Sequence, residues 1–564
     1  MLNALTSLLG LRRAQLSLGA PAPASSVIPP GQPSGIIGPP GTKPVLVRVL
    51  AINDFHGQLG DSDAQMGAMQ LGGAATLAGY LDRERAANPN GTIVVSAGDA
   101  IGASPPESSL LDHESSMAVL AAMGVSIATF GNHEFDRGLG ELMRLIKGGR
   151  KRAATRATKH AGHVKPAGPA WPGSPFPWIS ANLVDTDTGK RIAPPYIIKE
   201  INGVKVAFIG ATTANLKKVT LAAGIRNVKV LDPATAINQC VPEIKAQGVR
   251  AIVVMIHEGG DPSAAGNEVT GDIVPVVKRL DPEIDAVVSA HSHKEYVARI
   301  NGKLVTQAMS YAKAFAAIDL LVDKTTGDVL TSQARIVKND EAGVTPDPVI
   351  ARMVKSFQAK VAPTTERVIS VLPGPVTRKM SAAGENAMGT LIAEAQRTFA
   401  DADVAFMNPG GIRQDLVQGG PVTWGKLFGV QPFANVVTRM NMTGAQILRV
   451  LEQMFPAHGS PVMLQIAGMR VWFDVSRPIG KRITKVLMDT GKELDPKQTY
   501  VVAANAFLVG GGDGFTALAK GRNKAAVGTD LAALVAYLAS GKPVPTRPIG
   551  RLNIAGGTLP EDAH

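Results

Sequence analysis

The sequence predicts a two-domain α/β protein, and three observations carry that reading. Apolar, β-branched runs alternate with helix-like stretches over about residues 44–340, and a second alternating region covers about 364–555. A chain of 564 residues is too long for one hydrophobic core, and its 45% hydrophobic and 18% charged shares are those of a folded globular protein. Finally, five of the apolar runs stop at short clusters of Asp, Asn and His. Side chains at the carboxyl ends of adjacent strands converge on one crevice, so those clusters mark a site as well as a fold.

The elements follow in chain order. Residues 1–43 read as a disordered or export-related segment. The apolar stretch 2–11 is too short to span a bilayer, and Arg12 and Arg13 follow it, whereas an export signal carries its charge before it. A Pro-, Gly- and Ser-rich linker then leads to Pro44. Val45 to Ile52 runs into Asp54-Phe55-His56, and Thr92 to Ala97 into Gly98-Asp99. Ile127 to Phe130 runs into Gly131-Asn132-His133-Glu134-Phe135-Asp136. Ile252 to Ile256 ends at His257-Glu258, and Ala286 to Ala290 at His291-Ser292-His293. Each run reads as a buried strand. Helices are expected at 73–87 and 114–123, and an amphipathic helix at 346–361 lies in a linker expected at 341–363.

In the second region, helices are expected at 386–400, 443–454 and 530–540. Its landmarks are Asn408-Pro409-Gly410-Gly411-Ile412-Arg413 and Gly510-Gly511-Gly512-Asp513-Gly514-Phe515. Glycines this dense let a backbone approach a ligand closely. Neither run is a P-loop, because no Gly-Lys-Ser/Thr follows. Residues 556–564 read as a loose tail, and no further segment is long and apolar enough to cross a membrane.

The net charge of +12 invites a nucleic-acid reading until it is localised. Arg144, Lys147, Arg150, Lys151, Arg152, Arg156, Lys159 and Lys165 crowd a segment without Asp or Glu. Rich in Ala, Gly and Pro, the stretch of about 144–170 reads as a solvated loop insertion, with polyanion or anionic membrane binding as the alternative. Its His160 and His163 read as solvated. The single cysteine, Cys240, excludes an internal disulfide framework and a cysteine-built zinc site, and reads as core. His113 and His458 fit no motif.

Carboxylate, imidazole and amide oxygen without thiolate suit zinc, manganese, cobalt or related divalent ions. A bridging carboxylate holds two such ions roughly 3.5–4 Å apart, the separation used in paired-metal hydrolysis. The Asp-x-His, Gly-Asp, Gly-Asn-His-Glu, His and His-x-His clusters in this order resemble the calcineurin-like metallophosphoesterases. Together with the second region they resemble the 5'-nucleotidase family, which includes bifunctional UDP-sugar hydrolases and cyclic-nucleotide phosphodiesterases. The resemblance spans about 45–553.

It implies an N-terminal metallophosphoesterase β-sandwich flanked by helices and a C-terminal substrate-binding domain. It also implies two divalent ions, one held by Asp54, His56, Asp99 and His293, the other by Asp99, Asn132, His257 and His291. His133 would stabilise the transferring phosphoryl oxygen or the leaving group, with Asp136 orienting its imidazole. Glu134 and Glu258 read as structural. Asn408, Arg413, Phe433, Phe507 and Asp513 match nucleotide-contacting positions, the two phenylalanines sandwiching the base and Asp513 taking the ribose hydroxyls.

Some departures stand out. His293 replaces a Gln of some members, Ala290 a common Gly, and Gly510 an Asn. A further phosphate-binding arginine has no clear counterpart, although Arg378 and Arg397 are near. The expected reaction is phosphate release from nucleoside 5'-monophosphates, with no specific nucleic-acid partner and, by resemblance, a periplasmic or secreted location. UDP-sugar cleavage and 2',3'-cyclic nucleotide opening remain open, as do a dimanganese sulfur–sulfur hydrolase and a non-catalytic nucleotide binder.

Overall fold

Strands expected from the five apolar runs lie in two six-stranded sheets packed face to face. The computed structural model describes residues 42–61, 65–66, 69–151, 170–263, 268–457 and 459–559. Residues 1–41, most of the basic insertion with His160 and His163, His458 and the last residues of the tail lie outside that description.

The first sheet runs in the order Val329–Lys338, Ala314–Asp323, Pro44–Ile52, Thr92–Ser96, Val125–Thr129, Trp178–Ile179. Its last four strands pair in parallel. The second runs Glu295–Ile300, Lys303–Ala308, Ala286–Val288, Ala251–His257, Val204–Thr212, Tyr196–Ile201, with the middle four parallel. Buried on both faces, such strands read as nearly continuous apolar runs. Val47, Val49 and Ala51 enter a core shared with Val253 and Met255 of the other sheet. Leu50 and Ile52, one residue out of phase, pack on Leu77 and Leu81 of helix Ala74–Ala87 and on Met117 and Leu120 of helix Glu114–Ala122. On the opposite side Ile252, Val254 and Ile256 pack on Ile237, Ile244 and Val277. The layers are therefore helix, sheet, sheet, helix. Cys240 is buried in that last layer, as expected.

Asp347 caps the connecting helix Pro348–Thr365, its carboxylate accepting from Val349 N at 2.7 Å and Ile350 N at 3.0 Å. Ile350 and Val354 pack into the first domain and Val361 into the second, so one helix is embedded in both cores. The second domain is a mixed five-stranded sheet, ordered Gln465–Ala467, Val404–Met407, Thr499–Asn505, Val436–Thr443, Arg522–Thr529. Helices Ala387–Phe399 and Asp530–Ala539 cover one face, and Gly444–Glu452 with a three-stranded sheet covers the other.

The start of the basic segment differs from expectation. Arg144 is buried on helix Leu139–Lys147, bonded to Glu141 and Glu114, so residues 144–147 are helical rather than loop. An Arg whose charge two carboxylates neutralise can be buried on its helix, which a count of basic residues does not reveal. Among the described residues no helix is long and apolar enough to cross a membrane.

Candidate active site

All five clusters meet at one edge of the sandwich. Asp54, His56, Asp99 and Asn132 arrive from strand ends of the first sheet, and His257, His291 and His293 from the second. Backbone geometry there is unusual: Asp54, His56, Asp99, His291 and His293 all adopt positive φ, between 48° and 77°. L-residues adopt that region at a cost and hold it only where the surrounding structure imposes it, typically at functional sites. Crowding explains the flanking glycines. A Cβ on Gly98 would lie 2.6 Å from Gly131 N, and one on Gly131 would lie 2.1 Å from Asp99 Oδ1.

Three sets of side chains could hold a cation: Asp54, His56 and His293; Asp99, His257 and His291; and His56, Asp99 and His133. The Nε2 atoms of His56 and His293 face one another at 3.0 Å. His257 Nε2 lies 3.2 Å from Asp99 Oδ2 and 3.2 Å from Asn132 Oδ1. Behind them, His56 Nδ1 meets Gly102 O at 2.9 Å and His257 Nδ1 meets Ala97 O at 3.1 Å. Hydrogen bonds at Nδ1 leave Nε2 free to ligate, the arrangement metal-binding histidines use. Asp54 and Asp99 are buried, and among the described residues neither is paired with Lys or Arg. Two buried carboxylates faced by imidazoles rather than by Lys or Arg suit a cation from outside. The donor set thus fits divalent metal ions.

The protonation pattern of the metal-free chain agrees. Burial holds His56 well below the usual imidazole value, lowers His291 to about 4 and lowers His293, keeping all three neutral. Burial opposes charge on His257 too, but Asp99, then Asp54, outweigh it and push its pKa up to about 10. A cation taken up beside His257 therefore displaces a proton.

His133 and Asp136 lie beside this cluster. The imidazole Nδ1 bonds Asp136 Oδ2 at 2.8 Å, and the His133 backbone N–H donates to Asp99 Oδ1 at 2.8 Å. Glu134 gathers four backbone N–H groups, those of Asp99, Ala100, Ile101 and Gly131, so it stitches two strand ends together. Glu258 accepts from Thr213 Oγ1 at 2.9 Å. His113 is buried with Nδ1 3.4 Å from Ser104 Oγ, away from the three ligand sets.

The second domain faces the same cleft, whose volume is about 2320 Å³; Asn408, Arg413, Phe433, Phe507 and Asp513 line it with Asp99, Asn132, His133, His291 and His293. Asn505 Nδ2 donates to Asn408 Oδ1 at 3.0 Å, and Asn408 Nδ2 donates to Asp513 Oδ2 at 2.9 Å, which aims that carboxylate. Burial pushes Asp513 up to about 6 against the opposing bond from Asn408. Phe433 stacks on His133, ring centres 5.4 Å apart, while Phe507 packs against Gly512. Arg378 lines the cleft and bonds Asp415; Arg397 bonds Glu394 instead and is not on its wall.

Sequence reasoning missed Tyr311. Its ring stacks on His56 at 4.7 Å and its hydroxyl accepts from Arg413 Nε at 2.9 Å, joining the two domains. The signal was the position, since Tyr311 follows the buried strand Lys303–Ala308 as the Asp and His clusters follow theirs. Tyr is no ordinary metal ligand here, so it drew no attention.

Residues 47–295 match the calcineurin-like phosphoesterase family, and residues 361–520 match the 5'-nucleotidase C-terminal domain. The chain is 33% identical to the cell wall protein Lmo0130 of Listeria monocytogenes, over 90% of this chain and 69% of that protein. The chain belongs to the 5'-nucleotidase family. It is also 32% identical to the endonuclease YhcR of Bacillus subtilis over 92% of its own length, but spans only 42% of that relative. A 5'-nucleotidase precursor from Thermus thermophilus shares the fold, with a TM-score of 0.74 and 24% identity over 90% of this chain and 99% of that one. This member of the 5'-nucleotidase family is a metal-dependent phosphoester hydrolase, and the family uses divalent metal ions.

Proposed function

We propose that the protein releases phosphate from nucleoside 5'-monophosphates. One observation carries this reading: a single cleft is lined by Asp99, Asn132, His291 and His293 of the Asp-His cluster and by the five nucleotide-matching residues of the second domain. In this proposal Asp54, His56, Asp99 and His293 hold one divalent ion, and Asp99, Asn132, His257 and His291 hold another, with zinc, manganese and cobalt as candidates. Bound there, the ions supply an activated water and neutralise charge on the phosphoryl group. Asp136 orients His133 and supports its positive charge, and His133 stabilises charge developing on the phosphoryl or leaving oxygen. Arg413 fixes the phosphate or ribose. Its Nη2 is buried and has no partner among the described residues, which leaves a donor for a substrate oxygen. Phe433 and Phe507 contact the base, and Asp513 accepts from the ribose hydroxyls. The relative named a cell wall protein supports a location outside the cytoplasm.

The likeness to a protein named an endonuclease supports a second reading, cleavage of a nucleic acid phosphodiester in the same site. Apoprotein reconstituted with zinc, manganese or cobalt and offered AMP, UDP-glucose, a 2',3'-cyclic nucleotide and a short DNA strand separates these. Phosphate release from AMP with at least one metal is expected. Turnover of another substrate alone moves the assignment to it, and silence with all removes the hydrolase reading of these residues.

Tyr311→Phe keeps the ring on His56 but removes the acceptor of Arg413. A hydrogen bond to a charged group contributes about 1.5–3 kcal/mol, so KM for the nucleotide should rise by roughly tenfold or more with metal content unchanged. Steady-state kinetics and metal analysis check this; an unchanged KM means that Arg413 is positioned without Tyr311.

A further inference from the structure

The basic segment, which the proposed reaction leaves unused, begins on the wall of the active cleft. Gly140, Met143, Arg144 and Lys147 line the cleft from one face of helix Leu139–Lys147, at helical spacing, and Arg150 and Lys151 continue that wall. The face starts next to Asp136. At 1.5 Å per residue it carries Lys147 about 10 Å along the helix from Gly140.

The charges on this wall are not balanced. Asp112 is shared by Arg137 and Lys151, while Arg144 occupies Glu141 and Glu114. Lys147 and Arg150 are exposed, and among the described residues neither pairs with a carboxylate. On the opposite wall Lys379 is also exposed, next to Arg378. Size points the same way, since 2320 Å³ exceeds twice the upper end of ordinary small-ligand pockets, roughly 300–1,000 Å³.

We propose that Lys147, Arg150 and Lys151 form a track for phosphates of a nucleotide substrate other than the one being hydrolysed, such as those of an oligonucleotide strand. The inference rests on the nucleotide reading of the cleft. A cleft lined by one sign of charge raises the local concentration of a polyanion and releases its counterions on binding.

The test uses the full-length chain and the double variant Lys147→Ala/Arg150→Ala. Both side chains are exposed and, among the described residues, without a carboxylate partner, and thermal melting checks that folding is intact. Anisotropy of a labelled, 5'-phosphorylated DNA strand in EDTA, which prevents hydrolysis, should show binding weakened by about tenfold. The salt dependence should become shallower by roughly 0.7 per cation removed. With metals restored, kcat/KM for AMP should stay unchanged while KM for the DNA strand rises. A response with ATP but not DNA still supports the track and assigns it to the polyphosphate chain. Unchanged binding of both DNA and ATP, or an equal loss with AMP, overturns the proposal. Failure to hydrolyse AMP at all sinks the monophosphate reading instead, and the binding comparison still decides the track.

Discussion

His133→Ala is expected to lower kcat by roughly 10²–10⁴-fold while both metal ions stay bound. That factor corresponds to about 3–5 kcal/mol of transition-state stabilisation. The geometry separates the side chain from the scaffold. Asp99 is held by the His133 backbone N–H, which alanine retains, whereas the imidazole points to Asp136. Burial disfavours charge on that ring, but Asp136, followed by Asp99, outweighs it and raises its pKa. In the proposed reaction that side chain would carry a positive charge where a phosphoryl or leaving oxygen becomes negative. Metal analysis and steady-state kinetics on one preparation give the result. Because His133 lies within ligand distance of His56 and Asp99, loss of an ion in the variant is the outcome that would make it a ligand instead.

Asp99→Asn should cost more. The amide keeps an oxygen for the His133 N–H but removes the negative charge that two of the three ligand sets share. Neither ion is expected to survive gel filtration at stoichiometric occupancy. The several kcal/mol of charge stabilisation that bound metal provides should vanish with them, a fall in kcat of at least about 10³-fold. Circular dichroism and thermal melting distinguish this from unfolding. Burial opposes charge on Asp99, but His257, then His133, outweigh it and hold its carboxyl well below the usual carboxylate range, so the metal-free variant should melt below the metal-free parent while remaining folded. Retention of one full equivalent of metal would show that Asp99 serves a single ion.

Much of this architecture is legible in the sequence. Helices were placed within a few residues because local chemistry marks their ends. Thr443 and Gln446 form a capping box, Asn386 accepts from Gly389 N, and Asp347 stands ahead of Pro348. The Asp, Asn and His clusters are legible because a buried parallel strand is a continuous apolar run and its polar stop is visible by contrast. Contacts over long sequence separations left no comparable trace. Arg413 and Tyr311 are 102 residues apart and their bond has no local pattern. Phe433 could be named as an aromatic in a motif, but its stack on His133 could not. Arg144, at the start of the basic run, reads as loop because composition alone does not show the two carboxylates, Glu141 and Glu114, that let it be buried on a helix.

By itself, then, the sequence determined the order of strands and helices, the residue types at the strand ends and the hydrolytic class they imply, all encoded within short stretches of chain. Tertiary structure alone decided how those ends were turned toward each other. It imposed left-handed backbone on five polar residues, set two imidazole nitrogens 3.0 Å apart and swung Arg413 across to Tyr311. Those placements cost free energy locally and are held by packing between segments hundreds of residues apart, so no single stretch of the sequence contains them.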